Sequence, residues 1–195
     1  TGLYNYYIEA YPKAHPAYKP LVSSMHKGDL SKGLKQLNYS INNTVFLKVE
    51  SILFMSLIQL NYEKDLNTAA MYAERLVRDY PGNVYYRGHL INILLHQHKL
   101  DRVRKLLSEP AQEGDPYCEM IRTLASAFMA EKVPGQETQA GKGYRHTIEL
   151  ADNLGPFAHV YKAMGYMGLS RLSDKQGRQS VDNLRRVQLP FHPDR

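Results

Sequence analysis

Residues 49–83 read VESILFMSLIQLNYEKDLNTAAMYAERLVRDYPGN. The run through Leu60 is apolar enough, and long enough, to be a buried helix. Residues 61–65, Asn-Tyr-Glu-Lys-Asp, form a polar turn, and Asp65 is placed to cap the helix after it. Over 66–80, Leu66, Ala69, Ala73, Leu76 and Val77 recur at the three- and four-residue steps of one helix face. Pro81-Gly82-Asn83 ends that helix, because proline has no amide hydrogen and crowds the preceding turn. The stretch therefore predicts a pair of helices joined by a short turn.

Working outward, the same unit returns. Residues 84–97 and 100–108 predict a second pair, with Leu90, Ile91, Leu94 and Leu95 on the first helix and Val103, Leu106 and Leu107 on the second. Upstream, residues 28–34 match 64–70 in their Asp-Leu-polar-polar-small order. Downstream, helices are predicted over 117–131 and 140–154, then over 157–172 and 178–189. A small or β-branched residue opens each second helix, at Gly33, Ala69, Val103, Ala140 and Val181, at separations of 36, 34, 37 and 41 residues. A period of 34 to 41 residues marks stacked helix pairs. No segment alternates with a period of two, so a sheet is not expected. The expected layout is a Tyr/Pro-rich N-terminal cap over 1–27, with one helix over 2–10, and a single continuous helical array over 28–195. Pro12, Pro16 and Pro20 rule out one unbroken helix through the cap.

The unit over 50–83 resembles a tetratricopeptide repeat: Ala69, Ala73 and Pro81 stand where that family places its small residues and its closing proline. Leu90 and Leu94 fit the next unit, and Gly168-Leu169 stands where the family has a Gly-Leu pair. Departures are Leu57 and Ile91 at a position usually small, Val103 for alanine, and no tryptophan at all. The chain is similar to degenerate bacterial repeats of this type. The resemblance implies an all-α, right-handed α-α superhelix of four to five helix pairs, with the first helices lining a concave face that docks peptides or proteins. On that face would lie Phe54, Asn61, Tyr62, Tyr85, Asn92 and His96. One subgroup grips C-terminal carboxylates with Lys, Asn and Arg; at Phe54, Ile58, Tyr85, His89 and Asn92 only Asn92 fits, so that activity is not expected here.

Composition bounds the rest. Hydrophobic residues make up 43% and charged residues 23%, which suits a folded chain rather than a disordered one. The net charge of +6 is spread thinly along the sequence, without a basic block. The apolar run over 51–60 is too short to cross a bilayer. No signal-type segment opens the chain, which starts Thr-Gly-Leu-Tyr, so a soluble protein is expected in either the cytoplasm or the periplasm and cell envelope. Cys118 stands alone and reads as a small core residue rather than a disulfide or metal ligand. Eight histidines show no metal-binding spacing, Gly141-Lys142-Gly143 lacks the rest of a phosphate loop, and the glycosylation triplets at Asn38 and Asn42 carry little weight. No nucleophile signature occurs, so no catalysis, cofactor or metal is expected. Fifteen tyrosines against five phenylalanines leave one surplus to explain. They predict packing first and a binding surface second. The expected function is a non-catalytic scaffold for a protein or peptide. The alternative is binding of nucleic acid or glycan through tyrosines and basic residues.

Overall fold

The structure, a computed structural model, describes residues 1–109 and 114–174. All regular structure among them is helical: α1 (Gly2–Ala14), a 3₁₀ turn (Pro16–Tyr18), α2 (Lys19–Val22), α3 (Leu30–Asn43), α4 (Lys48–Ile58), a π turn (Gln59–Glu63), α5 (Leu66–Asp79), α6 (Val84–His96), α7 (Leu100–Ser108), α8 (Pro116–Glu131), α9 (Glu137–Leu154), a 3₁₀ turn (Gly155–Ala158) and α10 (His159–Asp174). The predicted helix over 178–189 and Val181 lie outside the described residues.

Four helices start on the same device. Asp29 accepts from the Lys32 amide, Asp65 from Asn67 and Thr68, Asn83 from Tyr85 and Tyr86, and Asp115 from Tyr117 and Cys118. Each side chain satisfies amides that the first helical turn leaves without partners. At Asp29 and Asp65 the cap comes four residues before the small periodic residue, which is why the two segments match in sequence.

The contacts divide the chain into two compact units, Thr1–Ile93 and Leu94–Arg195, with the division inside α6. In the first unit α1 packs on α3, α3 on α4, and α4 on α5. Tyr6 and Ala10 of α1 share one core with Leu37, Ile41, Ile52, Met55, Ile58 and Leu76. The N-terminal segment is thus part of the first unit's core. Its helix runs on to Ala14 through Pro12. A proline two residues from a helix end forfeits one internal hydrogen bond, and the chain closes by the His15 amide bonding to the Tyr11 carbonyl. The crossing of α1 on α3 needs Gly33: a Cβ there would lie 2.7 Å from the Tyr6 nitrogen and 2.9 Å from the Gly2 carbonyl oxygen. Ala69 plays the matching part in α5, fully buried, its carbonyl accepting from the Ser56 hydroxyl of α4 at 2.8 Å.

In the second unit α8 packs on α9, α9 on α10, and α10 also reaches α8. Val103 and Ala140 are fully buried, so every described member of the 34-to-41-residue series marks a packing point. Gly143 sets its missing side chain against Ala127, and Gly168 does the same against the ring of Tyr144. Cys118 is only half-buried, at the N-terminal end of α8 rather than in its packed centre.

Candidate binding groove

Helix α3 places Lys32, Lys35, Gln36 and Tyr39 on one face, because residues three, four and seven apart fall on one side of a helix. That face borders an open groove of about 930 Å³ whose opposite side is made by Leu47, Ser51 and Phe54 at the start and middle of α4. Leu3 of α1 and Leu37 of α3 add apolar surface. Asp29 is the one carboxylate on the lining, and its Oδ1 accepts from the Lys32 amide.

At one end of the groove the α3–α4 connection carries Val45, Phe46 and Leu47. Val45 is 84% exposed and Phe46 92%, and Leu47 and Tyr39 are also exposed. Burying a side chain of this size is worth roughly 1.5–3 kcal/mol, a stabilisation that folding of the unit leaves unrealised at these three positions.

The six positions predicted to share a face are dispersed. Phe54 is half-buried and lines the groove. Asn61 is exposed in the π turn that follows α4. Tyr62 is packed edge-on against Tyr6 and Tyr7, with ring centres 6.0 Å and 5.4 Å away. Tyr85 is exposed on α6. Asn92 is 2% exposed, with no hydrogen-bond partner for its Oδ1 among the described residues. His96 is exposed at the end of α6, in the second unit. Asn92 is covered because α6 is buried at every position from 88 to 95, and a helix buried all round has no open face.

Three polar clusters have no member on the groove lining, and each is engaged internally. In the first unit the Ser56 hydroxyl donates to the Ala69 carbonyl, so it accepts from His89 Nε2–H at 2.8 Å, which fixes the tautomer of that ring. Burial drives the His89 pKa down from 6.5 to about 4, so the ring is neutral at physiological pH. The Tyr6 hydroxyl donates to Glu63, which the π turn brings to α1; burial first, then this carboxylate, push the phenol far up. In the second unit Arg171 donates from Nε and Nη2 to the two oxygens of Glu131, at 2.8 Å and 2.7 Å, and the Tyr144 hydroxyl donates to the same carboxylate. Burial alone would raise Glu131, but the guanidinium fork and the phenol outweigh it and hold the carboxyl below its ordinary value. Arg171 also lies over Phe128, 5.5 Å from the ring centre. This last cluster ties α8, α9 and α10 together.

No group of three His, Cys, Asp or Glu side chains is placed to hold a metal among the described residues. Nor is any described helix long and apolar enough to cross a membrane. The chain matches no family model, no curated protein and no solved structure.

The groove itself was missed by the sequence reading. Its signal was present as Val45-Phe46-Leu47, three large apolar residues between the 28–34 match and the helix that opens the 49–83 unit.

Proposed function

We propose that the chain is a non-catalytic scaffold that binds a protein or peptide, built as a TPR-like right-handed superhelix of four to five helix pairs. The recurring small packing residues and the shared Asx caps support the repeat reading. Short connections support helices that lie antiparallel to their neighbours. One observation carries the binding function: an apolar groove between α3 and α4 is edged by three consecutive exposed apolar side chains. A partner would remove that surface from water. Phe54 is common to this groove and to the concave face implied by the family resemblance. The internal pairing of His89 with Ser56 and of Glu131 with Arg171 favours binding over catalysis, since neither couple is part of the groove lining. The second reading, nucleic acid or glycan, draws on the exposed Tyr39 beside Lys32 and Lys35, a ring for stacking next to two cations.

Photo-crosslinking separates the two. Benzoylphenylalanine at position 39, irradiated in native extract, is expected to give adducts that protease degrades and nuclease leaves intact. The same group at the exposed Met71 of α5 should give none of them, and Leu47→Ser should abolish them. Nuclease-sensitive adducts would favour the second reading. Identical adducts from positions 39 and 71 would contradict a groove site.

A further inference from the structure

The chemistry of the groove specifies its occupant further, on the footing of the binding reading above. Lys32 and Lys35 are exposed, and neither forms an ion pair with a described residue. The one carboxylate of the lining, Asp29, is turned to the helix start. The groove therefore carries its cations toward the N-terminal end of α3 and Tyr39 and Leu47 toward the other end, while the Ser40–Ser51 hydroxyl contact sets Phe54 across from the middle of α3. We infer that it takes an acidic amphipathic peptide of a partner protein, with an aromatic or aliphatic side chain seated on Tyr39 and Leu47 and an aspartate or glutamate facing Lys32 and Lys35.

The spacing follows from helix geometry. Lys32 and Tyr39 are seven residues apart, which is roughly 10 Å along α3 at 1.5 Å per residue. An extended peptide covers that distance in about three residues. The occupant therefore carries its acidic residue about three positions from its apolar anchor. A second copy of this chain fits less well, because the same face offers two more lysines and one carboxylate, Asp29, which is already turned to its own helix start. A bilayer would meet the protruding Phe46 but has nothing to fill a concavity of about 930 Å³.

The test is selection of random dodecapeptides on the immobilised full chain, followed by fluorescence anisotropy with the recovered peptides. The expected peptides pair Asp or Glu with Phe, Leu or Met about three positions away. Lys32→Glu/Lys35→Glu should weaken them at least tenfold, and Leu47→Ser should do the same, while Lys142→Glu on α9 should not. Circular dichroism confirms that each variant keeps its helicity. Peptides that need Leu47 but are neutral or basic would overturn this inference and leave the binding reading standing. Absence of any peptide that needs Leu47 would overturn both. Binding to phosphatidylserine vesicles through Phe46, or a dimer by light scattering that Leu47→Ser dissolves, would also overturn it.

Discussion

Gly168→Ala gives the sharpest test of how the second unit is packed. A Cβ on residue 168 would stand 2.3 to 2.5 Å from three ring carbons of Tyr144, about 1 Å inside ordinary contact. The ring cannot retreat freely: Tyr144 is wholly buried, and its hydroxyl is held by Glu131 and Arg171. Helix propensity favours alanine by about 1 kcal/mol. Against that stand overpacking, about 1–3 kcal/mol, and a displaced buried hydroxyl, about 1–2 kcal/mol. The net is a loss of about 2 kcal/mol, or roughly 4–8 °C in Tm for a chain of this size. Gly141→Ala in α9 is the control, since its Cβ would meet nothing closer than 3.7 Å and only the propensity gain remains. Urea unfolding followed by circular dichroism should give the two alanines opposite signs, and Tyr144→Leu should relieve part of the Gly168→Ala loss. Equal effects at the two positions would refute the close approach of α10 to Tyr144.

Acid should weaken the first unit through His89. The unfolded histidine takes up a proton near pH 6.5 and the native one only near 4, so stability falls between those values and levels off below. At about 1.4 kcal/mol per pH unit the full span is about 3 kcal/mol, and His89→Gln should flatten the unfolding slope between pH 6.5 and 5. Ser56→Ala, which strips both the His89 ring and the Ala69 carbonyl of a partner, should cost about 1–3 kcal/mol by urea melts. Glu131→Gln should cost about 2 kcal/mol, discounted because Arg171 is partly in water, and a cycle with Arg171→Met should show coupling in the same melts. Alkali should act through the tyrosines: burial pushes Tyr7 and Tyr161 up to about 12, so the stability they lend is intact below pH 10 and is lost as pH rises above it. Native tyrosinate absorbance should lag that of the urea-unfolded chain in the same window.

Local signals were legible in the sequence. Helix α7 stands over the predicted 100–108, and α5 begins after the predicted cap Asp65 and ends one residue before the expected 80. These boundaries depend on capping and proline chemistry within a few residues. The π turn over Gln59–Glu63 was not legible, because it is fixed by contact of Tyr62 and Glu63 with α1, 57 residues away at Tyr6. The cover over Asn92 was not legible for a related reason. Helical periodicity says that Asn92 and Leu94 lie on different sides of α6, but not that both sides are covered. The surplus of tyrosine resolved in part into packing, as in Tyr6–Tyr7–Tyr62 and in the Tyr117–Tyr161 hydroxyl pair at 2.7 Å. Tyr39 and Tyr85 remain on the surface.

The binding groove is tested most directly by hydrogen–deuterium exchange of the full chain with and without the peptide recovered by selection. Slower exchange over α3 and the start of α4, with α6 unchanged, is the predicted result. Protection over Val84–His96 with α3 unaffected would contradict it and return the site to the face that holds Tyr85.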